Sequence, residues 1–302
     1  MVNRKTFLGL GLAAATAGCI GAKCGGAEKR MLFGVCRGLG DVKLMKDVGF
    51  DFFENSVDAM LKPETSDETW KKQRDALLAA PLPLRSCNGF IPGKFRLTGP
   101  DAKFDDALVY AEKACRRADE VGVKTIVFGS GGARNVPYTF GPNAPKKQAD
   151  IEYGVVQYTE FCRQLAARIA DCNVAVVIEP LRPNESNVIN YVWQGLQVVE
   201  DIGSPRIQQL ADLFHMMMGR ETADSIVQAG DRLKHVHIAT YKARSFPGAN
   251  DTEKFAPYFA ALRKIGYTGG ISCECGWGRR EDFAHHLATA LATLKRLANG
   301  EA

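Results

Sequence analysis

Eight short apolar runs alternate with eight amphipathic segments along most of this chain, and this alternation is its most constraining feature. The apolar runs have the length of β-strands and span Met31–Cys36, Phe50–Asn55, Leu84–Phe90, Lys124–Gly129, Val174–Glu179, Ile207–Asp212, Lys234–Ala239 and Gly270–Cys275. The amphipathic segments span Gly40–Val48, Asp67–Ala79, Asp101–Val121, Gln148–Asp171, Tyr191–Ile202, Thr222–Ala229, Thr252–Ile265 and Glu281–Leu297. Within the third of these, apolar residues recur at i, i+3, i+4 and i+7, which is the helical pattern, and Asp101 is the expected N-cap.

Strands that alternate with helices form parallel βαβ units, so the chain is expected to be an α/β protein. Eight such units predict a closed (β/α)8 TIM barrel in a single domain, with an open, doubly wound sheet as the alternative. The first strand is not followed by a Gly-x-Gly-x-x-Gly loop, which argues against a dinucleotide cofactor. The net charge of +5 over 302 residues is too small to indicate a nucleic-acid partner.

The first 29 residues have the character of an export segment and a linker. Arg4 and Lys5 precede an apolar run of small residues over 9–17, so residues 1–18 are interpreted as a signal peptide. The small residues before Cys19 are similar to a lipobox, with Cys19 as the lipidated residue, and 19–29 is a glycine-rich linker. The expectation is an exported bacterial protein, periplasmic or anchored to a membrane by a lipid on Cys19. The alternative is a cytosolic protein with an unstructured N-terminus.

The last four predicted strands each end in a side chain that can bind a metal. These are Glu179, Asp212, His237 and Glu274. Each has an ordinary explanation by itself, as a loop carboxylate, a helix N-cap or a core histidine. In a barrel, however, the carboxyl ends of the strands converge on one face. Three carboxylates placed together there need a cation, because uncompensated charge in a barrel mouth is costly.

Several motifs resemble the xylose isomerase-like barrels of the sugar phosphate isomerase/epimerase superfamily, and the ketose 3-epimerase branch in particular. The motifs are Phe128–Pro137, Ala211–Met216, His235–His237 and Arg244–Gly248. The resemblance covers nearly the whole chain from residue 30 to residue 302.

The resemblance implies roles for particular residues. It makes Glu179, Asp212, His237 and Glu274 the ligands of one divalent cation. Two of them, Glu179 and Glu274, would also exchange a proton with the substrate. His215 and Arg244 would contact substrate hydroxyls.

Three further residues near the predicted strand ends have a functional and a structural interpretation. Arg134 follows the glycine-rich stretch 129–132, which is either a substrate-facing loop that binds anions or a tight turn. Trp277 stacks on a sugar or packs a loop. Glu54, at the end of the second strand, supports the site or lies on the surface.

The predicted ligand set suits Mn²⁺ best, with Mg²⁺, Co²⁺ and Zn²⁺ as alternatives. The expected activity is that of a sugar isomerase or epimerase, which removes a proton next to a carbonyl through a metal-bound enediolate. A lyase or dehydratase that acts on a keto-sugar or a 3-keto-glycoside is the alternative within the same chemistry. The expected partner is a small sugar or glycoside. Both a monomer and a homo-oligomer are compatible with the sequence. An apurinic endonuclease and a non-catalytic sugar-binding lipoprotein are the more distant alternatives.

Overall fold

A computed structural model describes residues 30–136 and 144–301 of the chain. The predicted signal peptide, the candidate lipidation site Cys19 and the whole predicted linker lie outside the described residues and stay predictions. Among the described residues, no helix is both long and apolar enough to cross a membrane.

Eight parallel strands close into a barrel in which each strand pairs with the next along the chain and β8 pairs with β1. The strands are β1 (Leu32–Cys36), β2 (Phe52–Ser56), β3 (Leu84–Asn88), β4 (Thr125–Phe128), β5 (Ala175–Ile178), β6 (Ile207–Asp212), β7 (Leu233–Ile238) and β8 (Gly270–Cys273). Each lies within or within one residue of a predicted strand. The closed (β/α)8 barrel is therefore confirmed, and the open-sheet alternative is wrong.

Helices connect the strands and form the outer layer. They are α1 (Val42–Val48), α2 (Val57–Met60), α3 (Asp67–Leu78), α4 (Asp105–Glu120), α5 (Gly131–Arg134), α6 (Ala144–Arg168), α7 (Val192–Ile202), α8 (Leu213–Met218), α9 (Asp224–Ala229), α10 (Thr252–Lys264) and α11 (Phe283–Asn299). Short 3-10 helices span Leu39–Asp41, Gly230–Arg232, Ala249–Asp251 and Arg280–Asp282. Apolar side chains of both layers form the core, because each helix turns its apolar face towards the barrel.

Two details of the helices differ from the predictions. The N-cap expected at Asp101 is wrong, because α4 begins at Asp105 with Phe104 before it. The short helices α2, α5 and α8, which follow β2, β4 and β6, were not predicted, since four to six residues are too few to show a helical period. All three lie at the carboxyl ends of the strands, where the predicted functional residues are.

Candidate active site

Glu179, Asp212, His237 and Glu274 converge at the carboxyl ends of four neighbouring strands. Glu179 directly follows β5, Asp212 ends β6, His237 is the penultimate residue of β7 and Glu274 directly follows β8. One donor atom of each lies within 4.8 Å of the donor atoms of the other three. The register brings Asp212 opposite His237. The geometry therefore assembles the four predicted ligands around one point.

Burial of this cluster perturbs the protonation of its members. Burial raises the pKa of Asp212 to about 6, and the nearby Glu274 adds to that shift. The pKa of Glu179 is also raised, mainly because it is buried, and Glu274 and Asp212 contribute in the same direction. Burial would lower the pKa of His237, but Glu54 and Glu274 outweigh it and raise that pKa well above its usual range. Three carboxylates with one imidazole, largely withdrawn from water, are a donor set that fits a divalent cation with a preference for oxygen ligands.

Asp212 has a structural role as well. One of its oxygens, Oδ1, accepts a hydrogen bond of 2.7 Å from the backbone N–H of Phe214 and so caps α8. The N-cap explanation and the ligand explanation of this residue are compatible, because the cap uses only Oδ1 and leaves the second oxygen, Oδ2, out of that hydrogen bond. The short helix fixes the direction in which the carboxylate points.

His215 is oriented by the loop that follows β5. The backbone N–H of Arg182 donates to Nδ1 of His215 at 3.3 Å, which leaves the proton of a neutral imidazole on Nε2. This Nε2 is buried and has no hydrogen-bond partner. Burial also lowers the pKa of His215 and so favours the neutral ring. An unpaired donor beside the cluster suits a ligand hydroxyl, and the substrate contact of this residue stays a prediction.

A cavity of about 390 Å³ opens beside the cluster. Its lining includes Glu179, Glu274, Arg244, Asn88 and the 129–132 loop. Two positions of that loop must be glycine, because neighbouring atoms lie too close to leave room for a Cβ. A Cβ on Gly129 would lie 2.2 Å from Oε2 of Glu179, and one on Gly131 would lie 2.1 Å from the carbonyl oxygen of Glu185. The glycine-rich loop therefore borders the cavity, and its contact with a substrate stays a prediction.

Glu185 is a fourth carboxylate at this site that the sequence analysis missed. Its Oε1 accepts from Nε of Arg182 at 2.7 Å and from Arg244 at 3.1 Å. Arg244 also donates to Oε2 of Glu274 at 2.9 Å, while Asn88 donates to Oε1 of Glu274 at 2.8 Å. Glu274 is thus held on both oxygens, and Arg244 links the β5, β7 and β8 loops.

The predicted substrate contact by Arg134 is wrong in this structure. Its side chain is fully buried and is not part of the cavity lining. The guanidinium donates to the carbonyl oxygens of Phe128 at 3.0 Å, Glu179 at 2.7 Å and Ile189 at 3.4 Å, and to Oγ of Ser186 at 3.4 Å. Arg134 therefore links the end of β4 to the β5 loop, and it fixes the backbone of Glu179 through the hydrogen bond to its carbonyl oxygen.

Trp277 also lies away from the cavity lining. Its ring stacks on Phe246 at 5.5 Å between centroids and meets the edge of Phe283 at 5.4 Å. Only 5% of its surface is exposed. The loop-packing interpretation of Trp277 is therefore the correct one, and the predicted contact with a sugar is wrong in this arrangement.

A parallel eight-stranded barrel with such a cluster at its carboxyl end defines the class: a TIM-barrel protein with a candidate divalent-cation site. Residues 42–297 match the xylose isomerase-like TIM barrel family, and the chain belongs to that family.

Proteins similar in sequence are named as 3-epimerases. The chain is 33% identical to an L-ribulose 3-epimerase of Methylomonas sp. over 113 residues, which cover 37% of this chain and 39% of that protein. It is 24% identical to a probable ketose 3-epimerase of Synechocystis sp. over 192 residues, or 63% of each chain. The matched stretches thus span less than two thirds of these relatives.

Solved structures support the same fold. The D-psicose 3-epimerase of Clostridium cellulolyticum H10, solved with D-tagatose, superimposes with a TM-score of 0.73 at 19% identity. That match covers 89% of this chain and 99% of the epimerase. A 3-keto-D-glucoside 4-epimerase from E. coli gives a TM-score of 0.69 at 22% identity, over 88% of this chain and 99% of the other.

Proposed function

We propose that this protein is a divalent-cation-dependent sugar epimerase of the isomerase class. One observation carries the proposal: Glu179 and Glu274 belong to the candidate cation cluster and also line the adjacent cavity. A carboxylate in both positions can bind a cation with one oxygen and exchange a proton with a substrate through the other.

In this proposal, one of the two glutamates removes the proton from the carbon next to the substrate carbonyl. The other glutamate, which starts protonated, delivers its proton to the opposite face of the same carbon, which inverts the configuration and leaves the two glutamates with their protonation states exchanged. A bound divalent cation, with Mn²⁺ as the first candidate, supplies Lewis-acid polarisation of the carbonyl and stabilises the developing negative charge. Asn88 and Arg244 keep Glu274 oriented, since they bind both of its oxygens.

Three groups at the cavity or next to it can bind substrate hydroxyls. Arg244 offers a guanidinium at the cavity wall. The buried, unpaired Nε2 of His215, which lies beside the cluster rather than in the cavity lining, can donate a hydrogen bond. Glu185 lies 3.7 Å from His215 through Oε2 and lines the same cavity, so it can accept one. Hydrogen-bond donors and an acceptor placed side by side suit a ligand with several hydroxyl groups.

The named relatives act on ketoses or on a keto-glucoside, and all are epimerases. We therefore propose a ketose or keto-glycoside as the substrate class, and the lyase alternative is not favoured.

The test is solvent deuterium exchange followed by NMR over a panel of free ketoses and a 3-keto-glucoside, with Mn²⁺ added. Incorporation of deuterium together with formation of the epimer is the expected result. Glu179→Gln is expected to retain the fold and to lose about 10²–10⁴-fold in turnover, because it removes a proton-transfer group. The matched control is Glu200→Gln on the exposed face of α7, with unchanged turnover. Unchanged turnover in Glu179→Gln, or no exchange with any sugar of the panel, would contradict the proposal.

A further inference from the structure

Glu54 is a buried carboxylate below the candidate cation cluster, and the proposed chemistry does not use it. It lies on β2 and is inaccessible to solvent. Its Oε1 lies 2.8 Å from Nε2 of His237. Its Oε2 lies 2.8 Å from Nε2 of His235 and 2.7 Å from Oγ of Ser272. Both oxygens are thus engaged by side chains of β7 and β8, inside the barrel.

The charge of Glu54 decides where the protons of the two histidines lie. Its two oxygens lie within hydrogen-bond distance of three side-chain groups that can donate, namely two ring nitrogens and one hydroxyl. A carboxylate only accepts hydrogen bonds, so Nε2 of each ring must be the donor. The other nitrogen of His237, Nδ1, lies 3.0 Å from Oε1 of Glu179 and 3.6 Å from Oε2 of Glu274. Nδ1 is therefore the atom that faces the cluster.

We propose that Glu54 is a positioning residue that fixes the ring of His237 with Nδ1 directed into the candidate cation site. This inference rests on the proposed function, because it assumes that a divalent cation binds there. A histidine ligand commonly donates its second N–H to a carboxylate, which sets the tautomer and raises the basicity of the coordinating nitrogen. Here the same carboxylate also binds His235, so the ring of the ligand is tied to the neighbouring inward-facing residue of its own strand.

A competing interpretation is a second cation site made by Cys36, Glu54 and His237, whose donor atoms also lie within 4.8 Å of one another. In the present arrangement, three hydrogen-bond donors already occupy the carboxylate of Glu54. A cation there would have to displace His237 from Oε1. We therefore expect one bound cation per chain rather than two.

The experiment is a titration of the metal-free, full-length protein with Mn²⁺, followed by electron paramagnetic resonance, which counts free and bound ions. Glu54→Gln preserves the shape of the side chain and removes its charge. It is expected to weaken Mn²⁺ binding about 10–100-fold. Glu54→Asp keeps the charge but is one methylene too short to reach both rings, so it is expected to weaken binding as well. Thermal unfolding of each metal-free variant checks that the fold is intact.

Ser272→Ala is the matched control, because it removes a hydrogen bond to Oε2 and leaves the contact with His237 in place. Its Mn²⁺ affinity is expected to stay close to that of the wild type. If the wild type binds Mn²⁺ and a folded Glu54→Gln binds it equally well, the positioning role is refuted. A second equivalent of Mn²⁺ that Cys36→Ala abolishes would favour the competing site and also overturn the inference. If the wild type binds no Mn²⁺, the proposed function itself fails.

Discussion

Replacement of Asp212 by asparagine tests whether the buried cluster stores unfavourable charge in the absence of a cation. The asparagine side chain has nearly the shape of aspartate and can still accept the hydrogen bond from Phe214, since both residue types cap helices well. The substitution therefore removes the charge while retaining the cap of α8. We expect Asp212→Asn to stabilise the metal-free protein near neutral pH.

The magnitude follows from the pKa of Asp212, which burial raises from a reference value of 3.8 to about 6. A shift of about 2 units corresponds to about 3 kcal/mol between the protonated and ionised forms. The folded state holds this proton more tightly than the unfolded state, so ionisation of Asp212 destabilises the fold. That penalty is fully present above pH 6 and disappears as the pH falls towards 3.8. The stabilisation by Asp212→Asn should therefore approach about 3 kcal/mol at pH 7 and fall below about 1 kcal/mol at pH 4.

The assay is urea-induced unfolding of the metal-free wild type and the variant at pH 4 and pH 7. Added Mn²⁺ should stabilise the wild type more at pH 7 than at pH 4, because the carboxylates must lose their protons to bind it. The variant should lose most of this response. Asp231→Asn, on an exposed residue, is the control and should change stability by less than about 0.5 kcal/mol at either pH. A variant that is less stable than the wild type at pH 7, or a difference that does not depend on pH, would refute the reasoning.

Two further substitutions test the loops around the cavity. Arg134→Met leaves the carbonyl oxygens of Phe128 and Glu179 without the guanidinium that donates to them. We therefore expect a loss of about 3–5 kcal/mol in the free energy of unfolding, measured by urea denaturation. A loss below about 1 kcal/mol would contradict the supporting role of Arg134. Gly131→Ala places a Cβ against the carbonyl oxygen of Glu185 and forces the β4 and β5 loops apart. We expect a higher KM and a stability loss of about 1–3 kcal/mol; steady-state kinetics that match the wild type would show that this close approach is dispensable.

The strands and the convergence of the four cluster residues could be predicted because both depend on local pattern plus one topological rule. Buried parallel strands are apolar throughout, so a polar residue at the end of such a run is conspicuous. Glu179, Asp212, His237 and Glu274 are all of this kind. Once the strands form a barrel, their carboxyl ends must share one face. Glu54 is also a polar residue at the end of an apolar run. Its burial shows that it lies inside the barrel rather than on the surface.

Long-range loop packing could not be predicted in the same way. Arg134 and Glu185 both lie in loops with several polar residues, and nothing in the order of the residues distinguishes the two. The positions of these two side chains depend on how the β5 loop packs against the end of β4. That packing buries Arg134 among carbonyl oxygens and brings Glu185 into contact with Arg244. The error with Trp277 has the same origin, because its partner Phe246 belongs to a different loop.

Backbone strain is distributed unequally between the two ends of the barrel. Among the described residues, five non-glycine residues have positive φ, and all lie between the carboxyl end of one strand and the outer helix that leads to the next strand: Lys62, Ser130, Ile189, Arg220 and Arg244. At the other end, glycines with positive φ serve helix-to-strand turns at Gly49, Gly122, Gly203, Gly230 and Gly266. A glycine adopts this conformation with little strain, whereas for another residue it costs about 1–3 kcal/mol and the surroundings must enforce it.

At Arg244 the surroundings that enforce the strained backbone are visible. Its N–H donates to the carbonyl oxygen of Thr240 at 2.9 Å, and its own carbonyl oxygen accepts from Gly276 at 2.8 Å. The β7 and β8 loops thereby hold a φ of 44° that a free chain would avoid. Relaxation of this turn would move the guanidinium away from Glu185 and Glu274. The strained non-glycine positions thus lie at the end of the barrel where side-chain direction matters for the proposed chemistry, whereas the helix-to-strand turns at the opposite end use glycines and avoid that strain.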